Sequence, residues 1–569
     1  MARIGIFVDA LQGSISTSFR ERIVSYVEGL PQVVFCQPEE NLVSSEGLSR
    51  MAKHLKEGGV DRVLIIGGSP RLYETSFQKW GHPLPFNPYL LTVANIREQV
   101  FWTTGDEEKA FEKAQGIITK ALRHAFASQP IETQSLPLKP EVLVLGGGIT
   151  GISIAQALAK SGVHVFLLEK GSQLGGKVLE LQTFYNRPEE VRKWVEEKVS
   201  EVSRTSNITL LTQAELRYLE GHLGRFQAKI RSRDGKDDVL HVSALVVATG
   251  YETQRERKGI YSHNRVITLS EMESLLSEAK GSSFQYEGKD LRTVTYLLDG
   301  VNEDIKVDSI NAIKQSLQLQ ESFQCQVTIL CKDVKVSTDG MERLYRKARE
   351  KGVLFFKYEE APKLSIVNER IQVDVKDTAP IQKKNQWPVS ILSDLLITSE
   401  ALIPASETEN LSRLLKIHLG SRGFLMEDNP QLLRVRSNRR GIFVAGGCRF
   451  PQEVSESLTE ARAVAEEVMT LLSRGDYTYD LAVAEVDPKK CAVCYTCPRL
   501  CPHSAITVEQ YAEKNIYTIP GREDKWGAAK VDPAACFGCG ICVAECPAKA
   551  ITLRHLTDEQ IYAQMNLLE

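Results

Sequence analysis

Hydrophobic and polar positions along the chain switch repeatedly between two periods. Short β-branched runs such as IGIFVDA (4–10) and DRVLIIGG (61–68), bounded by Gly and Asp, predict buried strands. Amphipathic helical segments lie between and after them, including 107–124. Residues 1–127 therefore read as an N-terminal α/β domain. The next stretch, SQPIETQSLPLKP at 128–140, holds three prolines and follows neither period, which predicts a linker.

From Glu141 the pattern restarts as strand, Gly-rich turn, helix and strand in EVLVLGGGITGISIAQALAKSGVHVFLLEKG. Further strands are predicted at 244–249, 293–299, 326–331 and 394–398, with helices at 308–321, 340–352 and 451–473. Alternating strands and helices imply open, mostly parallel sheets covered by helices. The expected division is a dinucleotide-binding domain in two parts, 141–285 and 386–475. An inserted α/β domain at 286–385 separates them, and a cysteine-rich domain spans 476–569.

Length and composition narrow this little. A chain of 569 residues is too long for one core and suggests about four domains. A formal net charge of −3 argues against a broad nucleic-acid surface. No apolar run reaches the roughly 18–20 residues of a membrane span. The N-terminus, MARIGIFVDALQG, reads as a first strand rather than a secretory signal, so a cytoplasmic protein is expected.

Cysteine spacing changes the picture. Eight of the twelve cysteines lie in CAVCYTCPRLCP (491–502) and CFGCGICVAECP (536–547), each reading C-x-x-C-x-x-C-x-x-x-C-P. Thiols clustered in a cytosolic chain favour metal over disulfides. In two-cluster ferredoxins the first three cysteines of a repeat bind one cubane and the fourth binds the other. That crossed rule assigns Cys491, Cys494, Cys497 and Cys546 to one [4Fe-4S] cluster, and Cys536, Cys539, Cys542 and Cys501 to the second. Zinc is the competing ligand, because C-x-x-C pairs also build zinc ribbons. It leaves the third cysteine and trailing C-P of each repeat unexplained. The polar GREDK stretch between the repeats (521–525) is either a partner-facing loop or simply solvated.

GGGITG supplies G-x-G-x-x-G as Gly146, Gly148 and Gly151, after a predicted strand and opening a predicted helix. Such glycines let backbone approach a pyrophosphate at a helix N-terminus. Glu169 ends the next strand at the distance expected for an acid on a ribose, with Lys170 beside it. LVVATGYE (245–252), with Ala248, Thr249 and Gly250, resembles the second FAD-contact motif of two-dinucleotide-fold flavoproteins. RGIFVAGGC (440–448), with Gly446 and Gly447, resembles the third, and LGGKV (174–178), with Gly175 and Gly176, matches their post-acid glycines. FAD is the expected cofactor. One departure is that Gly447 and Cys448 stand where such enzymes commonly have Asp on the ribityl chain, so that contact must come from elsewhere. The helix starting near Pro451 is expected to turn its positive end to the flavin. Lys177 is either an electrostatic partner of the flavin or an ordinary exposed lysine. Cys448 reads as a small buried cysteine rather than a redox thiol. TVTYLLDG (293–300) sits where related enzymes have a second Gly-rich fingerprint, but VNEDIKVDSIN follows it without those glycines. A direct nicotinamide donor is therefore disfavoured.

Together these segments, with NPYLLTVANIREQ (87–99), LYRKAREKGVLFF (344–356) and PQEVSESLTEA (451–461), resemble the FAD-containing A subunit of heterodisulfide reductase. The resemblance implies a thioredoxin-reductase-like Rossmann core carrying FAD and a 2[4Fe-4S] ferredoxin domain. It also implies a flavin that handles electron pairs and clusters that pass single electrons to partner subunits. Family members that split electrons carry further clusters, and their cysteines correspond here to Asp9, Leu11, Ser44 and Gly68. In the insertion they correspond to about Leu298, Asp304, Asp308 and Ser309. None is a thiol, so the expectation is one FAD and two clusters, with the N-terminal domain kept as scaffold. Cys36, Cys325 and Cys331 read as packing cysteines. The expected function is an oligomeric electron-transfer oxidoreductase acting with partner subunits and a donor or ferredoxin. A self-contained NAD(P)H-dependent flavoprotein reductase and a redox-inert scaffold are the alternatives.

Overall fold

The computed structural model describes residues 3–10, 15–73, 87–186, 190–279, 281, 283–299, 306–378, 387–510 and 526–565. Leu11, Asp304 and the 521–525 stretch lie outside them. The chain forms two compact units, one from 1–135 with 478–569 and the other from 136–477.

In the first unit, parallel strands run in the order Val33–Glu39, Ile4–Asp9, Arg62–Gly67, Leu91–Asn95. The central strands are buried on both faces, which is why they read as unbroken apolar runs. Ser16 and Asp106 start the flanking helices Thr17–Glu28 and Glu107–Ala127, accepting hydrogen bonds from Phe19 N and Lys109 N. The cysteine-rich segment packs into the same unit. Its last helix, Asp558–Met565, lies against Glu107–Ala127, and Gln560 Nε2 donates to Ala127 O. Tyr89 Oη donates to Asp480 Oδ2 at 3.0 Å. The N-terminal and cysteine-rich segments thus fall in one contact unit, each keeping its own hydrophobic core.

The second unit holds two five-stranded parallel sheets. Its first sheet runs Ile442–Val444, Ala244–Val247, Glu141–Leu145, His164–Glu169, Ile208–Thr212, all parallel. The second runs Val266–Thr268, Leu395–Thr398, Thr293–Leu297, Gln326–Cys331, Leu354–Lys357, also parallel. Each carries a three-stranded antiparallel sheet, Ala214–Val242 between the third and fourth sequential strands of the first and Lys363–Ser393 between the fourth and fifth of the second. The second sheet takes strands from 266 to 398, so the insertion expected at 286–385 is too narrow. Its outer strand Val266–Thr268 is only three residues long, too short to carry a period. The expected linker also contains a strand, Thr133–Pro137. Only Leu136 in it is buried, so no apolar alternation announces it. Among the described residues no helix is long and apolar enough to cross a membrane.

Candidate functional site

The first βα turn of the first sheet opens a cavity of about 930 Å³, within the range of cofactor sites. Glu141–Leu145 feeds into Gly146, whose φ of 106° and a would-be Cβ 2.3 Å from Ala248 O admit only glycine. Gly148 caps the helix Ile149–Lys160 with no side-chain hydrogen bond, and a Cβ on it would meet nothing within 4 Å. The helix thus presents free N–H groups and the positive end of its dipole to open space, as an anion requires. Gly151 serves packing instead, since a Cβ there would lie 1.9 Å from Gly146 O.

Glu169 ends the second strand with its carboxylate tied at both oxygens, accepting from Gly147 N at 2.6 Å and Gly171 N at 2.7 Å. Lys170, Gly175, Gly176, Lys177, Ala248, Thr249, Gly250 and Gly447 line the cavity along with Gly146, Gly148 and Glu169. Gly151 and Gly446 stand behind the lining. At Gly446, φ is 73° and a Cβ would press on Thr150 Oγ1 at 2.5 Å. Lys177 Nζ reaches Thr253 Oγ1 at 3.3 Å and lies 5.6 Å from the Tyr251 ring centroid, so it belongs to the wall.

Four buried polar atoms on this wall have no hydrogen-bond partner: Thr249 Oγ1, Asp308 Oδ2, Gln315 Oε1 and Gln452 Oε1. Buried polar groups are almost always paired in folded proteins, so unpaired atoms on residues that line one cavity are what a bound ligand would be expected to satisfy. With the open N-terminus at Gly148, they fit a dinucleotide cofactor with a polar ring. Sequence reasoning misses Asp308, Gln452 and Tyr251. In the sequence Asp308 stands out only as a position lacking a family cysteine, and its packing against the cavity depends on the second sheet.

The third motif departs from expectation in one respect. Helix Val454–Leu472 does not leave its positive end bare, because Glu453 caps it, accepting from Ser455 N at 2.7 Å and Glu456 N at 2.9 Å. The expected dipole contact is therefore largely used within the chain. Cys448 turns away from the cavity, donating to Val247 O and Ala445 O, and burial pushes its thiol up to about 12. It is a packing cysteine. Burial also raises Cys36, Cys325 and Cys331, to about 12, 11 and 12.

At the position of the second fingerprint, strand Thr293–Leu297 leads to Asp299 and helix Lys306–Phe323, with Asp308 in its first turn. Both acids are buried. A pyrophosphate there would meet like charge or a neutral acid and no glycine cradle.

In the first unit, ribbons Ala484–Val486 with Ile551–Leu553 and Ile506–Gln510 with Gly527–Val531 hold the two cysteine repeats. The thiols gather across the repeats. Burial pushes Cys497 up to about 11, and the neighbouring charges acting on it are Cys491, Cys494 and Cys546. Burial likewise pushes Cys542 up to about 11, with Cys536, Cys501 and Cys539 as its first charged neighbours. These are two crossed fours. Backbone N–H groups donate to the sulfurs in matching places, Ala505 N to Cys501 and Ala550 N to Cys546, each at 3.3 Å. Thiolates on one zinc ion converge to within about 4 Å of each other, whereas a cubane places each on a separate iron. Among the described residues no group of three or more His, Cys, Asp or Glu side chains is arranged to hold a single metal ion.

In the N-terminal domain, Asp9, Ser44 and Gly68 form no thiol site. Tyr73 Oη accepts from Gly68 N at 3.0 Å and donates to Asp9 Oδ2 at 3.0 Å, while Leu42 N donates to Asp9 Oδ1. Ser44 caps the helix Ser45–Glu57. The space is closed by the chain's own polar groups.

Residues 482–550 match the 4Fe-4S dicluster domain, and residues 144–192 match an NAD(P)-binding Rossmann-like domain. A protein of Archaeoglobus profundus named as similar to the A subunit of heterodisulfide reductase is 26% identical over 90% of this chain and 92% of its own length. The A subunit of H2:CoB-CoM heterodisulfide,ferredoxin reductase from Methanothermobacter thermautotrophicus is 24% identical over 87% and 89%. The curated relatives are heterodisulfide reductase A subunits. Similarity to heterodisulfide reductase A proteins thus spans both units, and the chain is of the oxidoreductase kind. A Lactococcus lactis thioredoxin reductase aligns over 59% of this chain and all of its own, at 17% identity and a TM-score of 0.41.

Proposed function

We propose that this chain is the FAD- and iron–sulfur-dependent electron-transfer subunit of a cytoplasmic heterodisulfide-reductase-like complex. One observation carries the reading: a glycine-cradled dinucleotide cavity and two crossed sets of four cysteines are built into one chain. Similarity to heterodisulfide reductase A subunits over about nine-tenths of the length supports it. FAD is held by the Gly146–Gly148 turn at its pyrophosphate and by Glu169 at its ribose. Gly175–Lys177, Ala248–Gly250 and Gly447 form the wall along it, and Gly151 and Gly446 keep the backbone close behind. Cys491, Cys494, Cys497 and Cys546 hold one cluster, and Cys536, Cys539, Cys542 and Cys501 the other. When bound, FAD supplies a centre that accepts or gives up electron pairs, and the clusters carry electrons singly.

The chain's own residues set the conditions for this. The backbone N–H groups donating to Cys501 and Cys546 sulfur favour the more negative, reduced cluster. Cys448 takes no part, and among the described residues no cysteine lines the cavity, which supports thiol or disulfide chemistry on a partner protein. Anaerobic purification from the native host tests the reading. Roughly eight irons and one FAD per chain are expected, with partner subunits co-eluting and no bleaching of the flavin by NADH in the isolated chain. Rapid bleaching by NADH would establish the self-contained reductase instead.

A further inference from the structure

The cavity continues past the glycine cradle to a wall contributed by the second sheet. Asp308 stands in the first turn of Lys306–Phe323, is 4% exposed, and lines this wall with Glu400 and Tyr251. Its Oδ2 makes no hydrogen bond. Asp308 is the nearest charged influence on the buried Tyr251 phenol. Tyr251 in turn packs on the third motif, for a Cβ on Gly447 would meet Tyr251 Cδ1 at 2.5 Å. Asp308, Tyr251 and Gly447 all line this one cavity.

We propose that the Asp308 carboxyl donates a hydrogen bond to the flavin bound in this cavity. The proposal rests on the flavin reading above. A carboxyl can donate only while it keeps its proton, and its surroundings keep it there. Burial pushes Asp308 up to about 8; the Ser399 side chain works against this, and Glu400 and Asp299 reinforce it. The cations nearby are engaged elsewhere, Lys306 with Glu456, Lys314 with Glu273, and Lys177 with Glu180 and Thr253. The other titratable groups facing this end, Glu180, Glu453 and Tyr185, bring no positive charge. A neutral acid in an apolar site is a hydrogen-bond donor that a carboxylate cannot be. It also spares a reduced flavin, which gathers negative charge, a second negative neighbour.

Proton balance makes this testable. Burial keeps the Asp308 proton in place below about pH 8, and on this proposal it stays there when the flavin is reduced. Above that, the acid is ionised beside oxidised flavin and takes one proton from solvent as two electrons arrive in successive single transfers from the iron–sulfur clusters, each cluster being reoxidised as it gives one up. Two-electron reduction then consumes one additional proton. The equilibrium shifts by a further tenfold per pH unit, which is about 30 mV for a two-electron couple. Spectroelectrochemical titration of the flavin in the full-length holoprotein, from about pH 6 to about pH 10, reads this slope directly.

The wild type should steepen near pH 8. Asp308→Asn, whose amide still donates, should keep the neutral-pH potential and lose the break. Asp308→Leu should bind flavin about tenfold more weakly. Infrared difference spectra of the wild type, recorded at neutral pH, should show a protonated-carboxyl band that shifts on flavin reduction, a readout independent of whether the variants fold. A break that persists in Asp308→Asn, an unbroken wild-type profile, or a missing band overturns the proposal while leaving the flavin reading intact. A folded chain that takes up no flavin overturns both.

Discussion

Gly148 and Gly151 separate the cavity's function from the fold's stability. At Gly148 φ is −72° and ψ 176°, extended backbone open to any residue, and a Cβ would meet no protein atom within 4 Å. Gly148→Ala should leave the apoprotein as stable as the wild type. It should even gain about 0.4–1 kcal/mol from a less flexible unfolded chain. The methyl instead occupies the space in which the pyrophosphate approaches the helix N–H groups. Losing one charge-assisted hydrogen bond costs about 1.5–3 kcal/mol, which weakens FAD binding about 10- to 100-fold. Gly151→Ala reverses the pattern. Its Cβ would sit 1.9 Å from Gly146 O, a backbone atom that cannot step aside, so the turn and the strand–helix packing both shift. A loss of about 3 kcal/mol or more is expected, in the upper range for single substitutions. The assay is a thermal melt of deflavinated protein paired with FAD titration by calorimetry. Undiminished FAD affinity in Gly148→Ala would refute placement of the pyrophosphate at this turn, whatever the melts show.

Three further outcomes follow from the first unit. Replacing Cys501 and Cys536 together by Ser should leave roughly four irons per chain, because both serve one cubane, whereas replacing Cys491 and Cys501 should empty both sites; iron analysis distinguishes the two, and equal losses would exclude the crossed arrangement. Tyr73→Phe strands the Gly68 N–H and removes a donor from the buried Asp9 carboxylate, so chemical denaturation should show a loss of about 1–3 kcal/mol with iron content unchanged. Val493 has φ 52° where the second repeat has Gly538 at 65°. Because a left-handed β-branched residue is strained by about 1–2 kcal/mol and glycine returns about 0.5–1 kcal/mol of that as entropy, Val493→Gly should raise holoprotein stability slightly, and a fall in the melting temperature would count against strain at this position.

Much of the architecture was legible because its signals are local. The apolar runs of both Rossmann-type sheets, the glycines of the first turn and the two cysteine repeats sit in consecutive residues, and the strand predicted at 326–331 is the one observed. What escaped is non-local. Val266–Thr268 joins the second sheet from beyond the expected insertion. The strand Thr133–Pro137 buries a single side chain. Asp308 and Gln452 lie 160 and 304 positions after Gly148 in the numbering, and their place on the cavity wall follows from tertiary packing alone. Glu453 was hidden for another reason: a glutamate before a helix reads as an ordinary first-turn acid, and only the geometry shows its carboxylate closing on Ser455 N and Glu456 N.

The two places where this chain lacks the family's additional cysteines have been filled differently, and the difference bears on function. Around Asp9 the gap is sealed: Tyr73 satisfies both Asp9 and the Gly68 N–H, and Asp9 and Tyr73 are fully buried. Such a network adds rigidity, although the neighbouring Arg97 Nε, packed against Gly68, is buried without a partner. Around Asp308, a residue of the cavity wall, Oδ2 is buried without a hydrogen-bond partner. A purely structural replacement would have paired that oxygen, because an unsatisfied buried carboxyl costs about 1–3 kcal/mol or more. Asp9 is thus bonded within its own domain, while Asp308 places a polar group on the wall of the dinucleotide cavity, which is what makes it the candidate cofactor contact.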